Sequence, residues 1–192
     1  MEQRAINFHP ILNQFTPTPY YCEENIWQLV RQIADSEIMP LEQMCVWFIT
    51  NPERAVPMRY QQAGEGWIEW DYHVILQLPL AGLIIDPASR LISPLNQKIY
   101  LQQSFPPPRR LNGRLTIWIR TVPAANYLHH FCSDRRHMVT QSVPEPPWPC
   151  IGSEHTDPIW LQHYWDCDRE IDGTSWIDYR DIWPHSALTI EG

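Results

Sequence analysis

Three residues have the types that thiol-based acyl transfer requires, in order along the chain: Cys22, His73 and Asp86. Cys22 stands directly before Glu23, Glu24 and an amphipathic segment. A sulfur at a helix N-terminus meets unpaired N–H groups and the positive end of the macrodipole, which lowers its pKa and stabilises the thiolate. The same N–H groups can hold an oxyanion. His73 lies within an alternating segment, on its polar side, and Asp86 ends a short apolar run. A carboxylate at a buried strand end needs a partner. A cysteine that attacks, a histidine that moves protons and an acid that orients the ring form one catalytic unit. Spacing alone leaves another reading open: a structural thiol, a hydrogen-bonded core histidine and a turn-forming aspartate.

These groups work only if the elements around them hold them. Residues 23–35 place Ile26, Leu29, Val30 and Ile33 at helical spacing, with Glu23 and Glu24 in the first turn, and the helix must end before Pro40. Cys45 to Thr50 is a short apolar run and reads as a buried strand. Residues 66–80 read as one alternating strand. Trp67, Glu69, Asp71 and His73 share one face of it; Ile68, Trp70, Tyr72 and Val74 share the other. Leu83 to Asp86 is close enough to pair back antiparallel. Leu115 to Val122 predicts a further strand, after which Pro123 suits the first turn of a helix over Ala124 to Cys132. Residues 144–149 read as an ordered turn or extended loop, residues 1–20 as an arm, and the chain after Cys150 as loop-like. The order predicts an α+β fold: a mostly antiparallel sheet flanked by helices.

Composition narrows the classes. A chain of 192 residues suits a single domain, 1–192, with 1–20 as its N-terminal arm and 152–192 as a divergent C-terminal segment. Ten Trp, eight Tyr and five Phe imply a large core or a ligand cleft. A net charge of −8 argues against non-specific nucleic-acid binding, which needs surplus Lys and Arg. No run of 18 apolar residues is present, so no membrane span is expected, and Met1 to Ile6 lacks a secretory h-region. Five cysteines, an odd number, then read as reduced thiols of a cytoplasmic protein. The absence of CxxC and HExxH argues against a structural zinc site, while eight His leave a composite site open. The seven glycines form neither GxGxxG nor a P-loop, and no GxSxG occurs, so nucleotide and serine-hydrolase readings lose their support.

Longer stretches around the three groups are more specific. Tyr21-Cys22-Glu23-Glu24-Asn25-Ile26-Trp27 and Trp70-Asp71-Tyr72-His73-Val74 closely resemble the protein N-terminal glutamine amidohydrolase family. Further matches follow in order: Pro40-Leu41-Glu42, Phe48-Ile49, Gln61-Gln62, Ser133-Asp134-Arg135 with His137-Met138, and Pro146-Pro147-Trp148-Pro149-Cys150-Ile151. The resemblance covers about residues 20–151. It implies a papain- or transglutaminase-like core with Cys22 as nucleophile, His73 as base and Asp86 as orienting acid. Family members often carry a second Asp two residues after the orienting one; here that position is Ala88, leaving Asp86 as the candidate.

The implied reaction converts an N-terminal Gln side chain to Glu and releases ammonia, with no metal or organic cofactor. In eukaryotes the product feeds an N-degron pathway. The implied partners are proteins or peptides with a free N-terminal Gln, and the implied state is a monomer. A terminal residue also needs a carboxylate for its α-ammonium. Glu24 and Asp71 flank the catalytic groups and are the candidate acids; Ser133, Asp134 and Arg135 are candidate cleft residues. Each has a structural alternative: dipole complementation for Glu24, a cross-strand pair for Asp71, an ion-paired turn for residues 133–135. Two other functions stay open here: another thiol acyl transfer (internal-Gln deamidase, transglutaminase or peptidase), and an inactive N-terminus-binding module.

Overall fold

The helical period after Tyr21 buries one whole stripe. Ile26, Leu29, Val30 and Ile33 are all fully inaccessible. Each such side chain contributes about 1.5–3 kcal/mol by leaving water. The computed structural model describes residues 7–111, 116–138, 143–152 and 154–184. In chain order the elements are α1 (His9–Leu12), α2 (Cys22–Asp35), β1 (Cys45–Thr50), β2 (Val56–Arg59), β3 (Trp67–Trp70), β4 (His73–Leu78), β5 (Leu83–Ile85), β6 (Leu95–Asn96), α3 (Gln97–Ser104), β7 (Trp118–Pro123), α4 (Ala124–His130), β8 (Phe131–Cys132), β9 (Ile159–Trp160), α5 (Leu161–Trp165), β10 (Ser175–Asp178) and α6 (Tyr179–Ile182).

The fold is α+β. Six strands form one antiparallel sheet in the order β10-β7-β1-β4-β5-β6. Helices cover both faces, which is why β1 is apolar throughout rather than alternating. Val46 and Phe48 join the core beneath α2 and α4, whereas Trp47 and Ile49 join the core with Tyr100, Leu101 and Tyr179. Such an open antiparallel sheet is consistent with a papain- or transglutaminase-like core. The β4–β5 hairpin closes at Gly82, whose φ of 62° is left-handed and suits a residue without Cβ. Its register, Leu76↔Ile85 to Leu78↔Leu83, leaves Asp86 just past the end of β5.

Four expectations from sequence need correction. Residues 66–80 are not one strand: β3 pairs β2 in a separate two-stranded sheet, and β4 enters the main sheet. Between them the Asp71 carboxylate accepts the Tyr72 N–H at 3.0 Å, and Thr50 Oγ1 donates to the Asp71 carbonyl at 3.1 Å. Those bonds take backbone groups out of the ladder, so the alternation continues in sequence across a break in space. The helix expected to reach Cys132 ends at His130, because Phe131 and Cys132 pair in parallel with Ile159 and Trp160. The Gly152 α-carbon lies so close to this segment that a Cβ there would stand 2.2 Å from the Phe131 carbonyl oxygen.

The arm is built in: Phe8 lies in the core, and Asn25 Nδ2 and Oδ1 clamp the Thr18 carbonyl and N–H at 2.8 and 2.9 Å. The C-terminal segment is also structural. Strand β10 adds to β7, and buried Arg120 donates to the carbonyls of Tyr164, Asp166 and Arg169 at 2.9, 2.9 and 2.7 Å. The expected strand start at Leu115 lies outside the described residues, as do Met1 to Ile6 and the side chain of His137.

Candidate active site

Cys22 is the first residue of α2, so its N–H has no carbonyl to bond within the helix. His73 opens β4, the strand that packs directly against α2. Both line a cavity of about 750 Å³ with Pro17, Thr18, Tyr20, Trp70, Asp71 and Ala88 among its walls. The arm therefore supplies one wall of the site, together with the break between β3 and β4.

His73 Nε2 lies 3.1 Å from Asp86 Oδ1, and both side chains are buried. The other ring nitrogen, Nδ1, is buried with no hydrogen-bond partner among the described residues. Trp70 stacks on the imidazole at 5.8 Å and 15°. Asp86 is held by further donors: Tyr100 Oη at 2.7 Å and Gln61 Nε2 at 3.2 Å to Oδ2, and the Ala88 N–H at 3.0 Å to Oδ1. Burial works to raise its pKa, but His73, Tyr100 and Gln61 together hold the carboxyl below its usual value. An ionised, fully bonded Asp86 fixes the ring so that Nδ1 is left to exchange a proton.

The thiol departs from expectation. Burial, followed by the neighbouring Glu23 carboxylate, pushes Cys22 well above an ordinary cysteine, while the Val74 backbone N–H at the sulfur works the other way. Desolvation and a like charge thus push against what a helix N-terminus offers a sulfur. Cys22 Sγ donates to Glu23 Oε2 at 3.4 Å, and Tyr72 Oη donates to that same oxygen at 3.1 Å. Glu23 is itself buried and raised to about 7, chiefly by desolvation. These surroundings favour the thiol over the thiolate, and a thiol so placed needs a base before it can attack anything.

The candidate substrate residues separate clearly. Glu24, fully buried, takes a bidentate ion pair from Arg135 at 2.8 and 2.6 Å and the Trp148 indole N–H at 2.6 Å. Its charge is answered from within the protein, and it does not line the cavity. Asp71 does line it, half-exposed and ion-paired to Arg54 at 2.6 Å. Arg54 in turn stacks on Trp165 at 3.8 Å. Ser133, Asp134 and Arg135 line a neighbouring cavity of about 850 Å³. There Ser133 Oγ accepts the Ile151 N–H at 2.9 Å, and Asp134 pairs with Arg136 at 2.5 Å.

Sequence reasoning passed over Glu23, Gln61, Tyr72 and Tyr100 as site residues. The signal for Glu23 was its place directly beside the nucleophile. Two adjacent helical residues point about 100° apart, so Glu23 and Glu24 cannot serve the same partner. Tyr100 sits on α3, too far along the chain for spacing to flag it.

Among the described residues no group of three or more His, Cys, Asp or Glu side chains is placed to hold a metal ion, and no helix is long and apolar enough to cross a membrane.

Comparison with known proteins gives consistent matches. The family model for N-terminal glutamine amidase matches residues 17–182. The chain is 36% identical over 140 residues to the protein N-terminal glutamine amidohydrolase of Homo sapiens, covering 68% of each chain. It is 33% identical over 153 residues to that of Danio rerio, covering 74% of this chain and 75% of the relative. The Drosophila virilis protein of the same name is 36% identical over 143 residues, covering 69% and 70%. The family match extends beyond Ile151 into the segment that carries β9, α5 and β10.

Proposed function

The chain belongs to the N-terminal glutamine amidase family, and from that premise we propose that it hydrolyses the side-chain amide of an N-terminal Gln to Glu through a Cys22 thioester. The observation that carries the site assignment is the buried His73–Asp86 pair, with His73 Nδ1 unpartnered and the ring lining the same cavity as Cys22.

In this reading the thiol proton passes to His73 Nδ1 as Sγ attacks the substrate carboxamide carbon. The C=O electron pair moves to oxygen, and the Cys22 N–H at the start of α2 donates to that oxyanion. Collapse of the tetrahedral species expels the amide nitrogen, which takes the proton from His73 and leaves as ammonia. Water then gives a proton to His73, attacks the thioester and releases the γ-carboxyl of Glu, and the proton returns to sulfur. Asp86 keeps the ring in the required tautomer and stabilises its cationic form.

For the α-ammonium, Asp71 is the acid we propose, because it lines the cavity beside Trp70 and His73 while the Glu24 carboxylate is closed off by Arg135 and Trp148. Arg54 would then share Asp71 with the substrate cation. Five free cysteines fit the proposal that the enzyme works in the cytoplasm, as a monomer. In a eukaryotic cell its product would enter an N-degron pathway.

The test is ammonia release from matched peptides at equal concentration. Free Gln-first peptides should turn over, whereas acetyl-Gln, internal-Gln and Asn-first peptides should be slower by about 10- to 100-fold or more, since an unmatched buried polar group costs about 1–3 kcal/mol. Equal turnover of acetyl-Gln or internal Gln would replace this reading with a general deamidase or transglutaminase.

A further inference from the structure

Glu23 has an unusual position for an acid beside a nucleophile. It is buried at 2% exposure, and among the described residues no basic side chain is paired with it. Its Oε2 takes the Cys22 thiol and the Tyr72 hydroxyl together. Among the described residues the ionisable groups that act on it are acids: Cys22 and Glu24 from α2, Tyr21 just before it, Tyr72 from the β3–β4 break and Tyr127 from α4, while His73 lines the same cavity as Cys22. Tyr127 Oη is committed to the Glu23 backbone carbonyl at 2.9 Å and leaves the carboxylate alone. Glu24, one residue on, is neutralised by Arg135. The fold has thus placed a cation beside one acid and withheld it from the acid that touches the sulfur.

We infer that Glu23 is a positioning residue that governs the ionisation of Cys22: as an anion it pins the sulfur as a thiol, and as a neutral acid it turns its proton toward the sulfur and supports the thiolate. The chemistry is a redistribution of one proton. With Glu23 ionised, the S–H bond points at Oε2, and forming the thiolate would set two anions 3.4 Å apart in a desolvated pocket. With Glu23 protonated that repulsion is absent, and an O–H···S⁻ hydrogen bond replaces S–H···O⁻. Proton transfer from sulfur to His73 is then opposed by burial and, more weakly, by the Asp86 charge. Tyr72 tunes the balance. Its hydroxyl bonds the carboxylate and favours the ionised, restraining form of Glu23. The inference deepens the proposed function in one respect only: it assumes that Cys22 is the nucleophile, not which amide it attacks.

The experiment is the pH dependence of Cys22 alkylation by iodoacetamide, followed by peptide mass spectrometry so that Cys45, Cys132, Cys150 and Cys167 are read separately. It needs no substrate, so it stands apart from the peptide assay. Glu23→Gln keeps size, accepts from Tyr72 and donates an N–H to sulfur, but carries no charge. The alkylation midpoint should fall by about one pH unit or more, the scale of a removed like charge at contact. Glu23→Ala removes the charge and the hydrogen bond together and should move it in the same direction by a smaller amount, because alanine offers the sulfur no donor. A purely structural role would change the melting temperature and leave the midpoint in place. An unchanged or raised midpoint in Glu23→Gln would overturn the inference. Should that variant fail to fold, an unchanged midpoint in Glu23→Ala would do the same.

Discussion

Two buried carboxylates flank Cys22 and His73, the proposed catalytic pair, and the protein treats them in opposite ways. Asp86 and Glu23 are each 2% exposed. Asp86 collects four hydrogen bonds, from His73, Tyr100, Gln61 and the Ala88 N–H, and is held ionised. Glu23 collects its own backbone N–H, the Tyr72 hydroxyl and a thiol, has an acid as its sequence neighbour, and is raised to about 7, chiefly by burial. Equal burial therefore does not decide the charge; donor count and the sign of the neighbours do. The Asp86 side is a rigid anchor, and the Glu23 side is an adjustable one. Glu24 sharpens the contrast. It is as buried as either, but it receives a guanidinium.

The anchor side should break most severely. Cys22→Ala should abolish ammonia release with the fold intact, and His73→Ala should approach that loss. Asp86→Asn should cost about 10⁴-fold in kcat, because an amide can hold the ring but favours the wrong tautomer. A wild-type rate for Asp86→Asn would move the orienting role elsewhere, with Asp71 the first residue to test.

The ion-paired acid comes next. Arg135→Ala leaves Glu24 buried and uncompensated, and should lower unfolding free energy by about 3–5 kcal/mol in a urea titration. A loss below about 1 kcal/mol would place this pair with ordinary surface ion pairs instead.

The adjustable side should show itself in stability against pH. Glu23 has its folded pKa raised from 4.5 to about 7. Between those values the native state holds a proton that the unfolded chain has released, so stability falls as pH rises through this window. The penalty is complete above the folded pKa and amounts to about 3 kcal/mol at 1.36 kcal/mol per unit. Glu23→Gln should therefore stabilise the protein at pH 8, leave it nearly unchanged at pH 4.5, and flatten the slope between. The Asp86 contribution has the opposite sign and lies lower: it is present above the unfolded pKa of 3.8 and is lost as pH falls below it. Parallel wild-type and Glu23→Gln slopes would mean that Glu23 is ionised throughout.

Much of the frame was legible in the chain. The period of Ile26, Leu29, Val30 and Ile33, the run from Cys45 to Thr50 and the short return at Leu83 each reported a local burial pattern, and local patterns survive folding. The break at Asp71 was hidden within a continuous alternation because strand period says nothing about which sheet a residue joins. The segment after Cys150 read as loop because its elements are short and are held from outside, by Arg120 and by pairing with β7 and β8.

From the sequence by itself came the α+β class and the three groups around which the site is built, because helix and strand periods and the flanking YCEENIW and WDYHV stretches are properties of neighbours in the chain. Only the tertiary structure decided which acid beside Cys22 would be neutralised and which would confront the sulfur. Glu24 meets Arg135 and Trp148, more than a hundred residues away, while Glu23 meets Tyr72 and, among the described residues, no cation. A carboxylate's charge in a desolvated site is set by the dipoles and ions that surround it, and these arrive from distant parts of the chain only when it folds.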